Sequence, residues 1–109
     1  MAEVRKVLGQ SAPSAATLTD AYTVPALTQA VISTITVCNR SATPTTARIS
    51  IAIAGAADAN AQYVTYDMAM AANETKGLTF GITLGAADVV RVYNTLATLT
   101  FNIYGVELS

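Results

Sequence analysis

The chain has 109 residues, of which 52% are apolar and only 12% charged, about half the ~25% charge usual in soluble domains. Six Lys and Arg stand against seven Asp and Glu, a formal charge of -1, which leaves no broad basic field to hold nucleic acid. Thr, Ser, Asn and Gly break up every apolar run, so nothing approaches the ~18 to 20 apolar residues of a membrane-spanning helix.

The length fits one domain over residues 1–109, burying roughly 65% of its unfolded surface around one modest core. At the N-terminus Glu3, Arg5 and Lys6 precede an apolar patch of only Val7 and Leu8. A secretory signal needs ~7 to 15 apolar residues at that place, so the expectation is an unprocessed N-terminus and assembly in a cytoplasm. Residues 1–19 read as an N-terminal strand over 3–9 followed by an Ala/Ser/Thr-rich loop or extended arm, "GQSAPSAATLT".

Beyond it, runs rich in Val, Ile, Thr and Tyr suit a pleated, half-buried surface. They predict strands near 20–24, 28–39, 45–54, 61–70, 75–84, 88–93 and 97–107. With the first, that makes about eight short antiparallel strands, an all-β sandwich that is jelly-roll-like, with the strand order left open between jelly roll and immunoglobulin-like. Alternation sorts the faces, because side chains on a strand point to opposite sides in turn. In "ARISIAIA", Ile49, Ile51 and Ile53 fall on one face and Arg48, Ser50 and Ala52 on the other. In "ATLTFNIYGVEL", Leu99, Phe101 and Ile103 alternate with Thr98, Thr100, Asn102 and Tyr104. The same rule groups Val64, Tyr66, Met68 and Met70, and then Leu78, Phe80, Ile82 and Leu84. Between strands, "NRSATPT", "AANET" and "LGAAD" supply the Gly, Asn, Asp or Pro that turns require. "AGAADANAQ" holds Gly55, Asp58 and Asn60 and reads as a loop rather than a helix.

Catalytic chemistry finds little to work with. Histidine is absent, which removes the commonest general base and metal ligand. Cys38 is the sole cysteine, so zinc spacings, Cys–His nucleophiles and internal disulfides fall away. Its setting in "TITVCNR" predicts a small buried core residue. "GLTFGITLG" spaces Gly77, Gly81 and Gly85 by four but lacks the Lys-Ser/Thr of a phosphate loop. Strand bulges or close backbone approach are the expectation there. Of the carboxylates Asp67, Glu74 and Asp88, an acid and base pair of the glycosidase kind is conceivable. Glu74 and Asp88 nevertheless sit where turns place acids, and Asp58 with Asn60 lacks the ligand density of a calcium loop. The expectation is no enzyme, no catalytic residue, no cofactor, no metal and no small-molecule substrate. Tyr22, Tyr63, Tyr66, Tyr93 and Tyr104 carry most of the aromatic surface. An outward Tyr is a common interface anchor, and Tyr63 and Tyr104 are placed outward by alternation. A carbohydrate platform would use aromatics too, normally with Trp and clustered Asn or Asp beside them.

From about Tyr22 to Glu107 the chain also resembles small virion structural proteins of tailed bacteriophages. The residues that carry the resemblance are "YTVP", the strand end "VCNRS", the turn "AANET", then "GITLGAADVVRVY" and a closing "FNIYGVE". The resemblance implies a β-sandwich or jelly-roll domain that serves as a capsid decoration (cement) protein or as part of a tail, neck or baseplate. It implies a homotrimer at local symmetry axes, with the major capsid protein, or else tail or neck proteins, as partner. The implied location is the virion, most readily the capsid surface. A glycan- or receptor-binding module is the remaining reading. Independently, a chain so poor in charge is prone to associate.

Overall fold

The computed structural model describes residues 2–109. Nine strands are present: β1 (Glu3–Ser11), β2 (Thr19–Thr23), β3 (Gln29–Asn39), β4 (Thr45–Ala52), β5 (Tyr63–Met70), β6 (Thr75–Leu78), β7 (Ile82–Leu84), β8 (Val89–Asn94) and β9 (Leu99–Leu108). Two antiparallel sheets pack face to face, one ordered β1-β9-β3-β6 with β7 also on β3, the other β2-β8-β4-β5. The protein is an all-β antiparallel sandwich.

Its connectivity is a nested hairpin. β1 pairs β9, β2 pairs β8, β3 pairs β6 and β7, and β4 pairs β5. The contacts β3–β9 and β4–β8 then join these ribbons into the two sheets. That order is a jelly roll. The strand expected over 75–84 is one lane broken in two, because both pieces lie along β3 and Thr79–Gly81 leaves the ladder. Gly81 sits there at φ +68, a conformation that other residues adopt only under strain. Phe80, grouped by alternation with the core, is instead 44% exposed, since the break turns it out while Leu78, Ile82 and Leu84 still pack inward.

The core lies between the sheets. Phe101, Ile35, Ile49, Leu99, Ile103, Val37, Val90 and Val92 are fully buried, each contributing about 1.5–3 kcal/mol through burial. The alternation of Leu99, Phe101 and Ile103 against Thr100, Asn102 and Tyr104 holds throughout β9. On β4, Ile49 and Ile51 face the core as expected, but Ile53 does not. The strand ends at Ala52, Ile53–Gly55 forms a 3-10 turn, and Ile53 is 74% exposed.

Two other expectations change. Met68 and Met70 pack on the core, whereas Tyr66 and Val64 are exposed. The β4–β5 register shifts between Ala47 and Ile49 and again between Ile49 and Ser50. Each shift inserts an extra residue in β5 and reverses which side chain points in. Among the glycines, Gly77 pairs regularly with Thr36, and Gly85 lies in the turn before β8. Besides those in β5, the bulges occur at Leu8, Ala21 and Ser33. Close backbone approach belongs to Gly9 and Gly105. A Cβ on Gly105 would overlap the Val31 carbonyl oxygen and lie 3.0 Å from Ile32 Cα. On Gly9 it would overlap the Ala21 carbonyl, where β1 crosses β2 of the other sheet.

Buried asparagines tie the loops. Asn94 Nδ2 donates to the carbonyls of Pro13 (3.2 Å) and Ser14 (3.3 Å), and its Oδ1 accepts from Thr98 and Leu99 N–H. The segment expected as a loop or arm is thus held against the β8–β9 turn, with Pro13 buried. Asn39 Nδ2 likewise donates to Thr43 and Ala71, while its backbone N–H bonds Glu74. "VCNRS" and "AANET" are therefore one joint. "YTVP" and "LGAAD" are another, through Val24 N–H to Asp88 O and Ala87 N–H to Val24 O.

Candidate interaction surface

The sequence-derived candidates disperse. Glu74 accepts from Ala71 N–H at 2.9 Å, and Asp88 accepts from Ala54 and Gly85 N–H at 2.9 and 2.8 Å. Both stabilise turns. Asp67 binds Arg48, and Asp58 accepts from the Tyr63 hydroxyl at 3.2 Å. Among the described residues no group of three or more His, Cys, Asp or Glu is placed to hold a metal, and no helix is long and apolar enough to cross a membrane. Cys38 is half-buried rather than in the core, because it lies on the outward phase of β3, opposite Thr75 and Thr100.

Two shallow grooves lie side by side. One, of about 310 Å³, runs between Gln29–Val31 and Thr83–Gly85. The other, of about 290 Å³, is bordered by Leu27, Ala86 and Leu108. Neither is lined by a titratable side chain. Leu27 stands at its rim 94% exposed, at φ +56.

Charge is almost wholly satisfied within the chain. Arg5 pairs Glu3, Lys6 pairs Glu107, Arg48 pairs Asp67, Lys76 lies 4.0 Å from Glu74, and Arg91 pairs Asp20. Arg40, the remaining cation, donates to the Ala97 carbonyl. Between β1, β2 and β9, Tyr22 donates to Glu107 Oε2 at 2.6 Å while Lys6 holds Oε1 at 2.9 Å. The bond from Tyr22, then that from Lys6, holds the Glu107 carboxyl below the usual range. Burial, then the bond to Glu107, pushes the Tyr22 phenol well above its usual range.

Three of the five tyrosines, Tyr63, Tyr66 and Tyr93, gather on the outer face of the β2-β8-β4-β5 sheet. Arg48 and Tyr93 are register partners on β4 and β8, and the β5 bulge sets Tyr66 and Asp67 opposite Arg48. The Arg48 guanidinium lies 4.0 Å from the Tyr66 ring centre and 4.5 Å from that of Tyr93. Its Nε donates to Asp67 Oδ1 at 2.7 Å, the main reason its pKa rises further. Tyr63 meets Tyr66 edge-to-face, with centroids 5.1 Å apart. Burial, then the bond to Asp58, raises the Tyr63 phenol. Beside this cluster the 53–62 loop folds over the sheet and buries Ser50, Ala52 and Val89. Sequence alternation found Tyr63 but turned Tyr66 inward. A positive φ at Asp67 (+52) marks the bulge responsible, and no residue type there announces it.

On the other sheet Tyr104 faces outward among Thr34, Thr36, Asn102 and Val7, receiving a 3.4 Å bond from Thr36. That face is uncharged at its centre.

No family model matches this chain, and no curated protein matches it either.

Proposed function

We propose that this protein is a non-enzymatic structural component of a tailed-phage virion. In this reading it is a capsid decoration protein that self-associates as a trimer and bridges neighbouring copies of the major capsid protein, on the capsid surface, after assembly in the host cytoplasm. The observation that carries the reading is the internal pairing of charge: five of the six cations contact an acid of the same chain. The outward face of the β1-β9-β3-β6 sheet presents Thr, Val and Tyr at its centre, and the cations of the other outward face are each paired with an acid, so both can meet protein without stripping water from an isolated ion. The likeness of "YTVP", "VCNRS", "AANET" and "FNIYGVE" to virion proteins supports it; the first three occupy strand ends and joints, and the last runs along β9.

The test is electron cryomicroscopy of purified particles together with their protein composition. Trimeric density on the head exterior, lost in particles lacking the protein and accompanied by heads that open at lower temperature, is the expected result. Density on the tail, neck or baseplate moves the role there. Absence from particles refutes the reading.

A further inference from the structure

We infer that the outer face of the β2-β8-β4-β5 sheet is a docking surface for a protein partner that presents a single acidic side chain, received by the terminal nitrogens of Arg48. The inference deepens the assembly reading above and rests on it for the nature of the partner.

A guanidinium carries five N–H donors in a planar fork that matches the two oxygens of a carboxylate. Arg91 on the same face shows what saturation looks like: Nε donates to Asp20, Nη1 to the Ala56 carbonyl and Nη2 to that of Gly55. Arg48 differs. Among the described residues only its Nε has an acceptor, Asp67, while neither Nη1 nor Nη2 has one. Its side chain is 24% exposed, so the terminal nitrogens are left to solvent.

The group is also held in place before any partner arrives. Two Tyr rings stack on it and Asp67 fixes its Nε. The rotamer entropy that an Arg normally loses on binding is largely lost already on folding. The cost is visible in the backbone, since Asp67 takes a left-handed φ of +52 and the β4–β5 register slips beside it. Bulges commonly re-aim a side chain in this way.

Several observations select the occupant. The fork suits a planar monoanion, and Asp67, 45% exposed beside it, disfavours a dianion such as phosphate by like-charge repulsion. The surface is a sheet face, and both grooves lie elsewhere, along Gln29–Val31 and Leu108. Arg48, Tyr66 and Tyr93 line neither of them, so neither would enclose a small free acid at this fork. A neutral sugar would offer the cationic fork no anion to receive. A carboxylate carried on a protein surface meets all three conditions, with the exposed Tyr66 ring alongside as an apolar anchor.

The experiment is a titration of the full chain, labelled with nitrogen-15, with a blocked pentapeptide carrying one central glutamate and with its glutamine counterpart. The glutamate peptide is expected to shift the Arg48 side-chain, Tyr66 and Tyr93 signals with a dissociation constant of roughly 1–10 mM, the scale of one anchored contact. The glutamine peptide should bind at least about tenfold more weakly, the factor worth ~1.4 kcal/mol for losing a charge-assisted pair. Arg48→Lys keeps the charge but loses the fork, and should weaken the glutamate peptide comparably. If that variant does not fold, the comparison of the two peptides on the native chain decides alone. Equal shifts from both peptides overturn the inference. Tighter binding of sialyllactose reassigns the face to glycan and overturns it too, as does a preference for inorganic phosphate, which marks simple anion binding. Particle localisation is independent of this result: a protein found on heads that ignores the glutamate peptide refutes the docking site alone. One that binds the peptide but is missing from particles refutes the virion reading alone.

Discussion

Replacing Asn94 with Ala removes the clamp between the 12–18 segment and the β8–β9 turn. The amide is fully buried and makes four hydrogen bonds, two donated at 3.2 and 3.3 Å and two accepted at 3.1 and 3.2 Å. Each such bond contributes about 0.5–1.5 kcal/mol net, and a buried group left without a partner costs about 1–3 kcal/mol. Thr98 N–H keeps a second acceptor in the Leu96 carbonyl, and the donated bonds are long, so the low end of each range applies. The expected loss is about 2–4 kcal/mol. In a domain near this size 1 kcal/mol shifts Tm by ~4–8 °C, so Tm should fall by at least about 8 °C, with a matching drop in the urea midpoint. Asn94→Asp provides the finer test. Its oxygens still accept from Thr98 and Leu99, but at neutral pH a carboxylate faces the Pro13 and Ser14 carbonyls. This variant should therefore be less stable than Asn94→Ala at pH 7 and recover part of the difference near pH 4, where a protonated acid donates again. A loss below about 1 kcal/mol for Asn94→Ala, or no pH dependence in the Asp variant relative to native protein, would refute the clamp.

Gly105→Ala should destabilise by roughly 3 kcal/mol or more, because the added methyl meets backbone of the central β3 strand and core overpacking costs about 1–3 kcal/mol even where side chains can yield. Gly77→Ala, with nothing within 4 Å of its new methyl, should stay within about 0.5 kcal/mol; equal effects in thermal melts would show that the two sites have been misread. Because the folded Glu107 carboxyl titrates below its unfolded value of ~4.3, its contribution is complete above that value and is lost as pH falls through the folded one. Native protein should thus exceed Glu107→Gln in urea midpoint at pH 7, with the gap closing toward pH 3. The raised Tyr22 phenol works in the opposite direction: its contribution is present below ~10 and lost as pH rises beyond, so Tyr22→Phe should flatten the alkaline limb. A gap that is constant across pH refutes the pairing.

The sandwich and its approximate strands were legible in the sequence because alternation and β-branched composition act over a few residues, and β9 obeys them over most of its length. Leu99, Phe101 and Ile103 could be placed by period alone, and so could Ile49 and Ile51. Turn chemistry was equally local: Glu74 and Asp88 bond N–H groups of their own turns. What period cannot show is where it breaks. The slip at Asp67 that turns Tyr66 outward, the gap at Thr79–Gly81 that exposes Phe80, and the bulge at Ser33 that presses β3 on Gly105 each depend on what the partner strand does. The same holds for Asn39 and Asn94, ordinary turn residues by type, whose amides become buried because segments tens of residues away close over them. Local pattern therefore determined an all-β antiparallel sandwich, while the pairing of β1 with β9, β2 with β8 and β4 with β5 that makes it a jelly roll was decided by the tertiary structure. Only the tertiary register decided which aromatic rings face solvent, and with them the stack that leaves two nitrogens of Arg48 open to a partner.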